Sequence, residues 1–222
     1  MHNYYWEQFI YDIQSCVDSG SIMLDAGAGN CHWKSYFPSV RYIAMDLGIG
    51  DSECDYSKLD IRGDLRNIPL EDNSIDIIIS IQVLEHLPEP WKVIAEFQRV
   101  LKPQGLLFIS CPESEQQHQI PFDFFRYTPF GIKSLLNSSG FEVVWIKSQL
   151  GNFSKIMNDV CYSAKKLPSL SENWLLKPIL LFTSFYLRQV MWRLHQPLFR
   201  YLDRFEQFQD HSVGHFLKAN KL

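Results

Sequence analysis

The sequence predicts an α/β fold in which a mostly parallel sheet is covered by helices on both sides. Short runs that are apolar without polar alternation, such as Ser74–Ser80 (SIDIIIS), are typical of strands buried on both faces. Strand-like and helix-like segments alternate along residues 20–147, as expected for parallel strands joined by crossover helices.

The elements follow from local patterns taken in chain order. Mixed helical spacing of apolar residues predicts a helix over about the first 15 residues. A turn at Lys102–Gly105 is expected to separate the helix before it from the strand after it. The predicted strands are Ser21–Asp25, Arg41–Asp46, Ser74–Ser80, Gly105–Ser110 and Phe141–Lys147, and the predicted helices are Trp91–Leu101 and Thr128–Ser138.

Composition and charge indicate one domain with an additional segment. The chain has 222 residues, and its 46% hydrophobic content excludes a disordered or low-complexity protein. The net charge of -4 divides into -9 for residues 1–154 and +5 for residues 155–222. A basic segment behind an acidic body indicates a second partner, either nucleic acid or an anionic membrane.

Targeting signals and cysteines favour a cytoplasmic protein. The N-terminus shows no basic region followed by a long apolar run, so no secretory signal is expected. The five cysteines are scattered and contain no C-x-x-C, which indicates free thiols in a reducing compartment. The longest uncharged run near the C-terminus, Pro178–Leu187, has ten residues, whereas a spanning helix needs about 20.

A glycine-rich turn, Asp25–Asn30 (DAGAGN), directly follows the first predicted strand. Glycines let the backbone turn tightly and approach a ligand closely, and Asp46 ends the next strand where a carboxylate can hold ribose hydroxyls. The alternative is a turn that only closes a loop. Because Asp25 opens the turn and His32 replaces the glycine of a dinucleotide motif, a cationic nucleoside ligand is favoured over a pyrophosphate.

Five motifs in order resemble the class I S-adenosylmethionine (SAM)-dependent methyltransferases, in their small-molecule branch. They are LDAGAGN at 24–30, MD at 45–46, GDLRNIPLEDNSIDIIIS at 63–80, QVLEHLPEP at 82–90 and RVLKPQGLLFIS at 99–110. Cys31 departs from the family's third glycine. The resemblance implies a Rossmann-like, doubly wound, seven-stranded sheet with an antiparallel last strand at Ser212–Lys218. It also implies SAM as cofactor, with S-adenosylhomocysteine as its product.

The resemblance further implies a set of cofactor contacts. For Asp64 the alternative is an acid that only caps its own loop. The implied contacts are Asp25, Ala26, Gly27 and Gly29 at the methionine part, Asp46 and Leu47 at the ribose, Asp64 and Leu65 at the adenine, and Ile81 and Gln82 at the sulfonium side.

Four candidate catalytic residues are His86, His118, Asp123 and Arg126. His86 is a candidate general base or a loop-structuring residue. The ubiquinone-type E-x-x-E-H metal cluster has Gln82 at its first position here, so no metal is expected. The loop that begins at His118, H-x-x-P-x-D-x-x-R-Y-T, resembles methyltransferases of bacterial surface-glycan and lipid-linked biosynthesis. Alternatively, Asp123 and Arg126 brace this loop while Thr128 caps the next helix.

The expected reaction is O-methylation of a small molecule or a glycan, including a lipid-linked one. A quinone- or phenol-type O-methyltransferase and a catalytically silent SAM-binding scaffold are the alternatives. Nucleic acid is not an expected partner, because Ser80–Val83 lacks an N-P-P-Y-type element and the body is acidic.

The last third of the chain predicts a helical insertion. The expected organisation is a core over residues 1–149, an insertion over 150–210 and a final core strand within 211–222. Residues 174–208 hold nine aromatics and five cations, and Pro178 to Pro197 is predicted to form one helix. The segment is interpreted as a substrate lid or a homodimer interface, or as a peripheral contact with the inner membrane face.

Overall fold

Seven strands form a single sheet in a computed structural model that describes residues 4–49, 54–205 and 212–222. The strands are β1 (Ile22–Ala26), β2 (Arg41–Asp46), β3 (Ile61–Arg62), β4 (Ile75–Ile81), β5 (Leu101–Pro112), β6 (Phe141–Ser148) and β7 (Gly214–Lys221). Their order is β3-β2-β1-β4-β5-β7-β6, and β7 alone runs opposite to the other six strands. The predicted sheet, with its antiparallel last strand, is confirmed.

Six α-helices accompany the sheet in the described residues. Both helices predicted inside the core are present, with each end shifted by one residue. The helices are α1 (Tyr4–Gln14), α2 (Pro90–Val100), α3 (Pro129–Asn137), α4 (Asn152–Lys166), α5 (Lys177–Phe185) and α6 (Trp192–Asp203).

Apolar side chains cover both faces of the sheet. Met23 and Leu24 are adjacent in β1 and therefore point to opposite faces. Phe9 and Ile13 of α1 belong to the same buried cluster as Met23, whereas Phe97 of α2 belongs to the cluster of Leu24. Each such side chain stabilises the fold by roughly 1.5–3 kcal/mol when fully buried. This two-sided burial explains why the strands show no polar alternation.

The start of β5 differs from the prediction. The expected turn at Lys102–Gly105 lies inside the strand, which begins at Leu101. Ile75 pairs with Leu101 while Ile77 pairs with Leu106, so the intervening stretch of β5 bulges out of register. The turn residues therefore form a bulge rather than a boundary.

The chain divides into two compact units, Met1–Gln149 with Gly214–Leu222, and Leu150–Val213. The second unit contains α4 to α6. In it, the Asp203 carboxylate accepts hydrogen bonds from the backbone N–H groups of Phe153 and Ser154, which lie in the first turn of α4. This carboxylate supplies the cap that Gly151, the residue before α4, cannot provide.

The prediction of one helix from Pro178 to Pro197 is wrong. A π-helical stretch, Tyr186–Met191, separates α5 from α6, and Pro197 lies inside α6. A proline inside a helix removes one backbone hydrogen bond but does not always end the helix. Phe208 and the predicted boundary at residues 210 and 211 lie outside the described residues. No helix among those described is both long and apolar enough to cross a membrane.

Candidate active site

A cleft lies at the carboxyl ends of the strands, where ligands bind in open α/β sheets. Its lining comes mainly from residues that follow β1, β2, β3 and β4, and the remaining residues come from the loop after β5. The lining residues are Gly27, Gly29, Asp46, Leu47, Ile49, Cys54, Tyr56, Asp64, Leu65, Gln82, Val83, His86, Leu87, Gln119 and Phe122.

The glycine turn forms the floor of this cleft. Gly27 has a φ of +91°, and a Cβ atom there would lie 2.3 Å from the Val83 Cγ2 atom. The Asp46 carboxylate accepts hydrogen bonds from the N–H of Gly29 (3.0 Å) and the N–H of Gly48 (2.7 Å). Asp46 therefore ties the turn after β1 to the loop after β2, and its ribose-binding role stays a prediction.

Asp25 lies beneath the turn and is almost fully buried. The Tyr42 hydroxyl donates a hydrogen bond to its Oδ2 atom, whereas the buried Oδ1 atom has no partner among the described residues. Burial raises the pKa of the Asp25 carboxyl to about 7. A buried acceptor without a donor is costly, so this oxygen suits a cationic ligand group.

Asp64 lines the cleft but is already engaged. The Arg66 guanidinium donates to both Asp64 carboxylate oxygens at 2.6–3.1 Å, and the Arg66 backbone N–H donates to the Asp64 Oδ1 at 2.8 Å. These hydrogen bonds from Arg66 lower the pKa of the Asp64 carboxyl. The contact between Asp64 and Arg66 is the kind expected if Asp64 caps its own loop. The adenine-binding role stays a prediction.

Seven of the ten predicted cofactor residues line the cleft, and Asp25, Ala26 and Ile81 lie in the buried layer behind it. Ala26 and Ile81 are apolar residues at the ends of β1 and β4. Gln82 has a φ of +56°, and its Nε2 donates to the Ser110 Oγ at 2.7 Å. Gln82 is therefore held against β5.

His86 ends a helical turn, Leu84–His86, and lines the cleft. Its Nδ1 lies 2.5 Å from the carbonyl oxygen of Phe122. A carbonyl oxygen only accepts, so Nδ1 carries the proton and Nε2 carries the lone pair. The Nε2 atom is buried and has no partner among the described residues. Burial lowers the pKa of the His86 imidazole, which favours the neutral ring.

His118 lies beside His86, with the two ring centroids 4.8 Å apart. Its Nδ1 lies 3.0 Å from the carbonyl oxygen of Gln116, so the same reasoning leaves the lone pair on Nε2. The His118 backbone N–H donates to the Asp123 Oδ2 at 2.9 Å. The imidazole is thus oriented by its own loop.

Arg126 and Asp123 brace that loop. The Arg126 guanidinium donates to Asp123 and to the backbone carbonyls of Glu115, Gln116 and Phe125, which uses all five of its N–H groups. These hydrogen bonds lower the pKa of the Asp123 carboxyl. Direct catalytic roles for the two residues stay predictions, and their geometry is that of positioning residues.

The same loop leads into α3. The Thr128 hydroxyl oxygen accepts a hydrogen bond from the Gly131 N–H at 3.1 Å, so Thr128 caps α3. Together with the Asp123–Arg126 pair, this cap gives the arrangement expected under the bracing alternative.

Glu85 is the residue that the sequence prediction missed. Its side chain has no exposed surface, and neither carboxylate oxygen has a partner among the described residues. Burial raises the pKa of this carboxyl to about 8. The Nε2 atoms of His86 and His118 each lie 3.9 Å from its Oε1 atom. An acid between apolar residues in Val83–Leu87 (VLEHL) was the available signal.

Comparison with known proteins agrees with this geometry. Residues 24–109, from β1 into β5, match the family described as "Methyltransferase domain". A Mycolicibacterium smegmatis protein named "Probable S-adenosylmethionine-dependent methyltransferase" is 30% identical over 159 residues, which is 63% of this chain and 60% of that protein. The chain thus spans about three fifths of that relative's length.

Solved structures share the fold at low identity. The Burkholderia thailandensis 1,6-didemethyltoxoflavin-N1-methyltransferase, solved with S-adenosylhomocysteine, has a TM-score of 0.58 at 14% identity and covers 98% of this chain and 78% of its own. A Haemonchus contortus phosphoethanolamine N-methyltransferase has a TM-score of 0.55 at 16% identity, over 97% of this chain and 52% of its own. These likenesses show the fold alone.

The matched domain, the named relative and the sheet order all agree with the resemblance given by the sequence motifs. Residues 24–109 are similar to a methyltransferase domain, and the sheet has the order and the antiparallel strand predicted for a class I SAM-dependent methyltransferase. The cleft fits the predicted cofactor SAM. Asp46 and Asp64 offer carboxylates to polar groups, Leu47 and Leu65 offer apolar surface to a base, and Asp25 retains an unpaired acceptor for a cationic group.

Proposed function

We propose that this protein transfers a methyl group from SAM to an oxygen atom of a small-molecule or glycan acceptor. The observation that carries the proposal is the composition of the cleft. Asp46 and the glycine turn line one part of it, and His86, Gln119 and Phe122 line another. The residues proposed to bind the cofactor therefore share one cavity with His86, whose ring lies edge-on against the ring of His118.

The cofactor supplies an electrophilic methyl group on a positively charged sulfur. The residues of this chain hold it and align an acceptor, and alignment with exclusion of water supplies most of the rate enhancement. Asp46 and Asp64 fix the nucleoside end, while Gly27 lets the backbone approach. Asp25 provides a carboxylate for the methionine end of the ligand.

The acceptor hydroxyl also has to lose its proton. The acceptor oxygen would form the new C–O bond as the S–C bond breaks with its electron pair left on sulfur, and the proton would pass to the Nε2 lone pair of His118. This lone pair is free because the His118 Nδ1 atom donates to a backbone carbonyl, and the His118 side chain is partly exposed, whereas the His86 Nε2 atom is buried. General-base catalysis of this kind contributes about 10²- to 10⁴-fold.

Two further observations support the acceptor class. A Yersinia pestis relative is named "Malonyl-[acyl-carrier protein] O-methyltransferase" and is 32% identical over 100 residues, which is 41% of this chain and 37% of that protein. In addition, α5 exposes large apolar side chains, including Ile179 and Phe182. An exposed apolar surface of this kind suits a lipid-linked acceptor or a membrane surface.

Two measurements test the proposal. Isothermal titration of SAM into the purified protein should show one binding site. Incubation with methyl-labelled SAM and extracts of sugar nucleotides and lipids should then label an acceptor in an alkali-stable ether or an alkali-labile ester. Absence of SAM binding would overturn the enzymatic assignment, and label found only on nitrogen would overturn the O-methylation.

A further inference from the structure

The groups facing one another at Glu85, His86 and His118 are all hydrogen-bond acceptors. Each imidazole uses its Nδ1–H to donate to a backbone carbonyl, so both Nε2 atoms carry lone pairs. The third group is the Glu85 carboxylate, whose two oxygens lack partners in the described parts of the chain. When Glu85 is ionised, no proton donor lies among these atoms.

An arrangement of acceptors alone is unfavourable when it is buried. The Glu85 side chain is fully buried, and the His86 Nε2 atom is also inaccessible to solvent. Lone pairs that converge without a donor repel one another, and water cannot reach those of Glu85 and His86 to compensate. The cluster therefore favours either a proton on Glu85 or a bound cation.

The spacing of these atoms is suited to an ion. Both Nε2 atoms lie 3.9 Å from the same Oε1 atom, which is too long for a hydrogen bond. One ligand atom from each of the three residues lies within 4.8 Å of the others. Ligands bound at about 2.0–2.2 Å from one Zn²⁺ ion are roughly 3–4 Å apart, so small side-chain rotations bring all three to one centre.

The carbonyl contacts behind the imidazoles favour a metal over a proton. Histidines that ligate metals almost always donate their other ring N–H to a carbonyl or a carboxylate, which fixes the tautomer. Both Phe122 and Gln116 provide such a carbonyl. A single shared proton would satisfy only one of the two lone pairs, whereas a divalent ion satisfies both and neutralises the carboxylate.

We infer that Glu85, His86 and His118 form a binding site for one divalent transition-metal ion of the zinc class. Two imidazoles and one carboxylate leave a coordination position for water or for an acceptor oxygen, and His86 borders the cleft. A hydroxyl bound there would ionise more readily, which assigns activation of the acceptor to the ion when it is present. This last role rests on the proposed function, in which a bound ion would replace the imidazole as the activating group because it occupies both Nε2 lone pairs. The metal binding itself does not rest on the proposed function.

Isothermal titration of Zn²⁺ into untagged, chelator-stripped protein tests the inference. We expect one ion per chain, visible absorption when Co²⁺ is used instead, and a melting temperature raised by Zn²⁺. Glu85→Gln should fold, because its amide supplies the missing donor, but should lose metal affinity at least tenfold. His118→Asn should show the same loss. His32→Asn, at an exposed histidine away from the cluster, is the matched control.

Two results would overturn the inference. The first is that the wild-type chain binds no metal. The second is that Glu85→Gln and His118→Asn bind the metal as tightly as wild type and the control do. Titration of SAM into the same stripped protein separates this outcome from failure of the proposed function. Retained SAM binding without metal binding rejects only the metal site, and absent SAM binding rejects the proposed enzyme.

Discussion

Two hydrogen bonds join the Arg126 guanidinium to the Asp123 carboxylate, from Nη1 to Oδ1 at 2.6 Å and from Nη2 to Oδ2 at 2.8 Å. Asp123 in turn accepts the backbone N–H of His118. The pair therefore determines where one histidine of the site lies, without needing to contact a substrate.

Arg126→Lys should release this loop, because a lysine cannot reproduce the paired donors. Turnover should fall at least tenfold, whereas the dissociation constant for SAM should change less than about threefold. Hydrogen exchange of residues 113–128 should become faster, a readout independent of any acceptor. Arg41→Lys, at an exposed strand residue, is the control. Unchanged exchange in the Arg126 variant would contradict the positioning role.

Gly27→Ala should destabilise the fold and weaken SAM binding. The added Cβ would overlap the Val83 side chain and would hold alanine at a positive φ. Overpacking and strain of this kind cost about 1–3 kcal/mol each. Gly20 has a similar φ of +87° but open space around it, so Gly20→Ala measures the backbone cost alone. Urea unfolding of both variants measures the loss in free energy of unfolding. Gly27→Ala combined with Val83→Ala removes the overlap and leaves the backbone strain. Equal losses in Gly27→Ala and Gly20→Ala would contradict the overlap.

Asp46→Asn should weaken SAM binding at least tenfold. An asparagine can accept through only one of its two terminal atoms, so either the Gly29 or the Gly48 N–H loses its partner. Calorimetric titration with SAM checks this, with Asp18→Asn at an exposed loop residue as control. Equal affinities in the two variants would remove Asp46 from the cofactor site.

Asp25→Asn should make the fold more stable at neutral pH while weakening SAM binding. The pKa of Asp25 is about 7 in the folded protein and about 3.9 in an unfolded chain. Between these values the unfolded chain has lost the proton that the folded chain keeps, so wild-type stability falls as pH rises.

The advantage of the Asp25 variant should therefore grow between pH 4 and pH 7, by at most about 1.4 kcal/mol per pH unit, and stay constant above pH 7. Urea unfolding of both proteins across this range measures the difference, in which the other titrating groups cancel. A difference that does not vary with pH would show that Asp25 is not held in its neutral form.

The second unit should bind anionic liposomes at low salt. Ile179 and Phe182 are three residues apart on α5 and are 61% and 70% exposed, so they can enter a membrane interface together. Phe182→Glu should abolish flotation, whereas Phe130→Glu, at an 85% exposed phenylalanine of α3, should not. Wild-type protein that stays at the bottom of the gradient would remove the membrane interpretation.

Much of the fold could be predicted because its causes are local in sequence. The apolar run in β4 and the glycine turn after β1 each carry their own signal. The bulge at the start of β5 could not be predicted, because it depends on register with β4. The π-helical stretch after α5 could not be predicted either, because the expected end of the helix was placed at Pro197.

The location of Gly27 and Asp46 in the cleft was predictable, because each belongs to one local motif. The site was not predictable where it arises from side chains distant in sequence. Glu85 and His118 are 33 positions apart, and the sequence gives no sign that the imidazole would approach the carboxylate. Gln82, at the first position of the E-x-x-E-H pattern, does not belong to this cluster, because its side chain bonds to Ser110.

The place of β7 in the sheet has a consequence for biosynthesis. β5 and β6 are both translated before residues 150–213, yet each pairs with a strand translated after them. Until that strand emerges from the ribosome, two strand edges of the nascent core lack their native partner, and such edges are prone to pairing with other chains. Cleavage of the chain just after residue 213 would leave the same two edges open, so full assembly of the sheet depends on residues 214–221.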